Sequence, residues 1–184
     1  MMKKQSNVGY ILRLSLTLLV ITGVVAAVLA GINGMTAPII EGISAEKTQA
    51  AIEKVLPGGG EKLDTYTDET GLVKAVYASE TGYAIEVAPN GFGGEIRMMV
   101  GVDKEGNVLN ISVISQTETA GLGSVVAAGT SAGEAFRSQF TGKSGTLAVT
   151  KDGGVIDAVT SATISSRAVV EGVNVALICV ANLD

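Results

Sequence analysis

Histidine is missing from all 184 residues. Its absence removes Ser–His catalytic pairs, histidine general bases and nearly all zinc sites. A single cysteine, Cys179, rules out an internal disulfide and leaves no four-cysteine set for an iron–sulfur cluster. It lies in an apolar run, where a lone cysteine is usually a small buried hydrophobe. Aromatic residues make up only 4% of the chain, too few for a platform on which bases stack. A chain so poor in acid–base and metal-binding groups has to borrow an organic cofactor for any redox work.

Charge is just as unevenly spread. All 18 acidic residues follow residue 40, together with every basic residue except Lys3, Lys4 and Arg13, which leaves that part with a formal charge of −8. Such a surface repels nucleic acid. Between Arg13 and Glu41 there is no charge at all, and Leu14 to Ile32 is almost wholly apolar. Roughly nineteen residues at 1.5 Å each cross a hydrocarbon core of about 30 Å. The run can also be read as a cleaved signal with a site near Val28-Leu29-Ala30. It is longer than the usual apolar core of a signal, and a basic residue abuts it, so a membrane anchor is expected. The basic residues before it place the N-terminus in the cytoplasm and the remainder outside. Residues 1–34 are thus the cytoplasmic start and anchor, and 35–184 one extracytoplasmic domain with its own core. Gly23, Ala26, Ala27, Ala30 and Gly31 give the anchor a small-residue surface for helix packing.

Beyond the anchor, Thr36-Ala37-Pro38 predicts a break, followed by a helix from Ser44 to Leu56 that stops at Pro57-Gly58-Gly59-Gly60. Ser44-Ala45-Glu46-Lys47 matches the Ser-x-x-Lys of some acyl-transfer enzymes, but no companion motif follows. A helix-capping serine is the better reading. Period-two alternation then predicts strands. Leu72 to Ser79 is one; next, Tyr83, Ile85 and Val87 share a face with Glu86 opposite. Ile96, Met98, Val100 and Val102 share a face, as do Leu109, Ile111 and Val113, with residues 103–107 as the hairpin loop and Gly106 at positive φ. Pro89 to Gly94 is a glycine-rich turn. No helix interrupts these strands, so an α+β fold with a mainly antiparallel sheet and flanking helices is expected.

Further on, Ser131 to Phe140 reads as an amphipathic helix with Ala132, Phe136 and Phe140 on one stripe. Leu147 and Val149 read as a short strand, and Asp152-Gly153-Gly154 as a turn. The final helix carries Val169, Val173, Ala176, Val180 and Leu183 on one face, and its other faces are also apolar.

Just before that helix, residues 157–167 read Asp-Ala-Val-Thr-Ser-Ala-Thr-Ile-Ser-Ser-Arg, with Thr160, Ser161, Thr163, Ser165 and Ser166 crowded together. A helix start presents unpaired N–H groups and about half a positive charge, which suits a phosphate. Ala162 allows close approach to the backbone, and Arg167 adds positive charge. Hydroxyl clusters at helix starts are, however, most often caps, and on chemistry alone both readings stand.

The segment resembles the flavinylation motif Asp-x-x-Ser/Thr-Gly-Ala-Thr-x-Ser/Thr of the FMN-binding domain family. More closely, the chain is similar to the G subunits of Rnf-type ion-translocating ferredoxin:NAD oxidoreductases. The likeness covers the basic start, the single anchor, the block from Gly82-Tyr83-Ala84 to Val102, and Glu118-Thr119-Ala120-Gly121-Leu122-Gly123. It continues through Phe136, Phe140 and Gly142-Lys143 to Val173-Asn174. The related flavin subunits of Na⁺-translocating NADH:quinone oxidoreductases share both motifs but are usually longer. The resemblance implies a covalent FMN on Thr163 through a phosphoester, attached by a transferase that uses FAD. Thr160, Ser161, Ala162, Ser165 and Ser166 would lie at the phosphate end, and Glu118, Thr119, Gly121 and Leu122 near the isoalloxazine, with Phe92 close by. It implies an electron carrier with no catalytic residues of its own, in the cytoplasmic membrane. Its partners would be the other members of the complex, among them iron–sulfur and second flavin subunits. Two residues depart from the family pattern: Ser161 stands where Gly is common, and Ala120 where Pro is. If position 161 has positive φ, serine costs about 1 kcal/mol more than glycine there. A tethered binding module without flavin, or a Ser44–Lys47 hydrolase, are the readings from other classes.

Overall fold

The computed structural model describes residues 7–63 and 70–183, so Lys3 and Lys4 lie outside the described residues. Two compact units result, the first ending at Ala45 and the second beginning at Glu46. Helix α1 runs Asn7–Val55. Its apolar stretch reaches a mean hydropathy of 2.4 with no part buried, which suits a membrane span. The break expected at Thr36-Ala37-Pro38 does not occur, and Pro38 lies inside the helix. Proline removes one N–H donor and leaves the Gly34 carbonyl without its helical partner, yet the helix runs on through this single loss. Ser44 therefore sits within a helix, not at the start of one.

The second unit is built on a five-stranded antiparallel meander in the order β1-β2-β3-β4-β5. The strands are β1 (Glu61–Leu63), β2 (Val73–Ala78), β3 (Gly82–Val87), β4 (Arg97–Asp103) and β5 (Val108–Ser115). The α+β reading holds. β1, too short to show alternation, went unread. Register stacks apolar residues across the sheet: Val76 opposes Ile85, Ile85 opposes Val100, and Val100 opposes Ile111. All four are fully buried in the main core. Glu86 points to the other face, where Arg97 Nε donates to its Oε1 at 2.5 Å.

β5 departs from simple alternation. Gly101 pairs with Asn110 but Val102 with Val108, so Leu109 is an extra residue in a bulge. Val108 and Ile111 face the main core, whereas Leu109 turns to the opposite face, away from Ile111 and Val113. That face is covered by Ala51, Ile52, Val55 and Leu56 of the second unit, packed on Ala84, Met99 and Ile114. Gly101 makes the approach possible, because a Cβ there would lie 2.3 Å from the Val55 carbonyl oxygen.

Helix α2 (Ser131–Ser138) ends before Phe140. Its buried side is formed by Gly133, Phe136 and Arg137, and Ala132 is exposed, because Arg137 takes the inward position for reasons given below. Leu147 and Val149 form no strand; Val149 makes one isolated bridge to Ile156, ahead of a 3₁₀ turn at Thr150–Asp152. The final helix, α3 (Thr163–Ala181), crosses the main sheet face. Val169, Val173, Ala176 and Val180 are buried as expected, and so are Ala168, Val170, Leu177 and Cys179; each valine buried this way contributes about 1.5 kcal/mol. Leu183 lies beyond the helix end and is half-buried. Gly172 brings α3 close to the sheet: a Cβ would meet Met98 Cε at 2.3 Å and Pro89 Cγ at 3.0 Å.

Candidate functional site

Three backbone segments converge at the start of α3. The first is the turn Pro89–Gly94, closed by Gly91 N–H to the Gly94 carbonyl at 2.8 Å. Its Gly93 N–H donates to Glu118 Oε1 at 2.8 Å, and its Gly93 carbonyl accepts from Thr117 Oγ1 at 3.0 Å. Phe92, at the tip, is 69% exposed.

The second segment leaves β5 through Glu118 and Thr119 into a 3₁₀ turn at Gly123–Ala127. Gly121 takes φ 74°, and its N–H donates to Ser124 Oγ at 3.0 Å. Glu118 is buried, and its second carboxylate oxygen accepts from the Ser165 hydroxyl. This one carboxylate thus ties the glycine turn to α3. Gly123 has no room for a side chain, since a Cβ would lie 2.5 Å from both Glu118 Oε2 and Ser165 Oγ.

The third segment is the hydroxyl cluster. Ser161 is the one non-glycine at positive φ (63°) among the described residues, and Ala162 occupies the N-cap position of α3. No side chain caps the helix there. Ser166 N–H to the Ala162 carbonyl, at 2.9 Å, is the first bond of the helical ladder. The N–H groups of Thr163, Ile164 and Ser165 precede it and have no acceptor within the helix.

Between these segments lies a cleft of about 390 Å³, walled by Phe92, Glu118, Thr119 and Leu122 on one side and Ser161, Ala162, Thr163 and Ser165 on the other. Eight of the residues singled out from sequence therefore meet in one place. Gly123 and Ile164 complete the lining. Three singled-out residues do not line it. Thr160 is exposed beside it, and Gly121 is exposed on its turn. Ser166 is fully buried and structural: it accepts from Val159 N–H and donates to the Ala162 carbonyl, both at 3.0 Å. A larger cleft of about 450 Å³, between the β4–β5 loop and the end of α3, contains none of these residues.

Electrostatics also differ from the sequence expectation. Arg167 does not serve the cleft. Its guanidinium is held by Asp152 in two bonds of 2.7 and 2.6 Å. The hydrogen bond from Arg167 lowers the Asp152 pKa, and the same contact raises that of Arg167. The cation beside Thr163 is Lys151, whose Nζ donates to Thr163 Oγ1 at 3.0 Å. No motif pointed to Lys151. Arg137, also missed, is buried and donates to the Val126 carbonyl at 2.8 Å and the Ala128 carbonyl at 3.0 Å, which pins the 3₁₀ turn. Chemically, the unpaired amides and the ammonium beside Thr163 suit a phosphate. Exposed Phe92, Leu122 and Ile164, which also line the cleft, suit a flat apolar ring.

Known proteins resemble this region and the chain around it. The FMN-binding domain family matches residues 91–178, a span that contains all three segments apart from the start of the glycine turn. The chain is 31% identical over 207 aligned residues to the G subunit of the Na⁺-translocating ferredoxin:NAD⁺ oxidoreductase complex of Acetobacterium woodii, covering 99% of this chain and 97% of that protein. It is 34% identical to the G subunit of the ion-translocating oxidoreductase complex of Cereibacter sphaeroides over 79% of this chain and 73% of that one. With the G subunit of the proton-translocating ferredoxin:NAD⁺ oxidoreductase complex of Clostridium ljungdahlii it shares 28% identity over 96% and 95%. With this likeness running almost end to end, the chain belongs to the G subunits of Rnf-type ion-translocating ferredoxin:NAD oxidoreductase complexes and contains their FMN-binding domain.

Proposed function

We propose that this protein carries FMN as a phosphoester on Thr163, attached by a flavin transferase, and relays electrons between iron–sulfur and second flavin subunits of its complex. When bound, FMN supplies reversible one- and two-electron transfer; the protein supplies position and electrostatics. The observation that carries the reading is the uncapped start of α3. Five hydroxyls surround it, yet none caps it, and three amides stay available beside Thr163 in a cleft. A cluster present only to cap would have spent an oxygen on those amides.

Each part of the cleft has work under this reading. Amides of Thr163, Ile164 and Ser165 face an anion. Phe92, Leu122 and Ile164 cover an apolar ring and exclude water. Glu118 holds the two walls together. Helix α1 anchors the protein, and the basic residues before it put the C-terminal domain on the extracytoplasmic side. Gly23, Ala26, Ala27, Ala30 and Gly31 offer close packing to a helix of another member of the complex. A covalent tether keeps the carrier from diffusing away on that side.

The test is a denaturing gel viewed under ultraviolet light, on the full chain expressed with its flavin transferase. The wild-type band fluoresces and its mass rises by one FMN less water. Thr163→Ala abolishes both, while Thr160→Ala, which removes a hydroxyl outside the cleft, leaves them. A fluorescent Thr163→Ala band overturns the assignment.

A further inference from the structure

We propose that Lys151 is a positioning residue for flavin attachment: its ammonium orients the Thr163 hydroxyl for phosphoryl transfer and then neutralises the resulting phosphodiester. The inference rests on the reading of Thr163 as the attachment point.

The contact is Lys151 Nζ to Thr163 Oγ1 at 3.0 Å, and both the lysine and the bond are exposed. Stability does not account for it. Holding a lysine side chain in one rotamer forfeits conformational entropy, and an exposed hydrogen bond to a neutral hydroxyl returns no more than that loss. A lysine kept at this oxygen makes sense where negative charge develops there.

The backbone beneath Lys151 is also built to hold its place. Asp152, the next residue, grips Arg167 on α3 through two bonds. Gly153 turns the chain at φ 83°. Gly154 packs so tightly that a Cβ would lie 2.0 Å from the Ala148 carbonyl oxygen. Thr150 N–H to the Ile156 carbonyl, at 2.8 Å, closes the loop. Arg167 and Thr163 are one helical turn apart, so the Asp152–Arg167 pair locks the lysine turn onto the same turn of α3 that carries the acceptor hydroxyl. Because Asp152 neutralises Arg167, Lys151 is the member of this group whose charge is directed at Thr163.

The chemistry balances without a redox step. Thr163 Oγ1 forms a bond to the flavin-side phosphorus of a flavin dinucleotide, and the bond from that phosphorus to the bridging oxygen breaks. The adenylate leaves with the electron pair, and the hydroxyl proton passes to a base of the transferase or to water. Negative charge gathers on the phosphoryl oxygens in the transition state and one charge stays in the diester, and an ammonium held at the acceptor oxygen would offset both.

The experiment follows FMN incorporation with time by intact mass, using full-length protein in detergent, purified transferase and FAD. Lys151→Met is expected to slow incorporation about tenfold or more, with an unchanged thermal unfolding midpoint. Lys151→Arg, which restores the charge, is expected to return most of the rate. Wild-type rate in Lys151→Met overturns the proposal. So does a slow Lys151→Arg, or a Lys151→Met whose unfolding midpoint falls with its rate, since either marks a structural role. Failure of the underlying reading looks different: wild type gains no FMN, or Thr163→Ala does.

Discussion

Glu118 and Ser165 stand 47 positions apart in the chain and share a buried hydrogen bond, the serine hydroxyl donating to the carboxylate. The other oxygen of Glu118 accepts from Gly93 N–H. Three segments are fastened by one side chain, so its loss leaves both an orphaned hydroxyl and an orphaned amide. Glu118→Ala is expected to destabilise the chain by about 2 kcal/mol. Glu118→Gln is expected to cost about half that, because its amide oxygen still serves Gly93 while its NH₂ donates to a rotated Ser165 hydroxyl. Urea unfolding of the full chain in micelles measures both; an Ala variant as stable as wild type removes the clasp from the account.

Arg137 holds the 3₁₀ turn that follows Leu122. Burial lowers its pKa, against the opposing influence of Glu134, yet a guanidinium remains a cation at neutral pH. Its two bonds reach carbonyls two residues apart, Val126 and Ala128, a fork that one ammonium cannot reproduce. Arg137→Lys is therefore expected to loosen the 3₁₀ turn rather than unfold the domain. The amides of Val125 and Ala128, which bond to Leu122 and Val125 carbonyls at 3.1 Å, should exchange about tenfold faster with deuterium. Unchanged exchange at these two amides would show that Arg137 does not set the loop.

These cases mark where the sequence is readable. Alternation marked the main-core faces of β3 and β4 although both faces are buried, because one face carries Ile85, Val87, Met98, Val100 and Val102 while the other holds residues such as Ala84, Glu86 and Gly101. The same rule failed at Leu109, where a bulge inserts a residue and flips the face, something periodicity cannot register. Thr163 and the motif around it were legible as a local pattern and through family likeness. Lys151 and Arg137 were not, because their partners lie 12 and 9–11 residues away across turns. The assignment of positive charge to Arg167 went wrong for the same reason: its neutralising partner, Asp152, is 15 residues off. Pro38 misled in the other direction, since the loss of one helical hydrogen bond was outweighed by the long apolar helix around it.

The Asp152–Arg167 pair makes a pH prediction. Its hydrogen bond to Arg167 lowers the Asp152 pKa below the ordinary 3.8, and the pKa of Arg167 is raised by the same contact. A depressed carboxyl contributes stability above its unfolded value and loses it as pH falls through the folded one. The lysine turn should accordingly stay attached to α3 at neutral pH and release only below about pH 4. Carboxyl ¹³C shifts should place the Asp152 midpoint under 3.8 in the native chain and return it toward that value in Arg167→Gln. A midpoint that ignores Arg167 would mean the two groups do not pair in solution.

Ser161 supplies the sharpest stability test, because its strain and its chemistry can be separated. At φ 63° its Cβ crowds the backbone, a cost of about 1 kcal/mol that glycine escapes. Glycine gives back part of the gain through a freer unfolded chain. Ser161→Gly should therefore stabilise the chain by about 0.5 kcal/mol, while Ser161→Ala keeps the Cβ and the strain and should gain nothing. If the hydroxyl itself mattered to the backbone turn, alanine would be the less stable of the pair by more than the glycine gain. Parallel urea curves for the three proteins decide it: equal midpoints for Gly and wild type would show that the left-handed turn before Ala162 carries no strain to relieve.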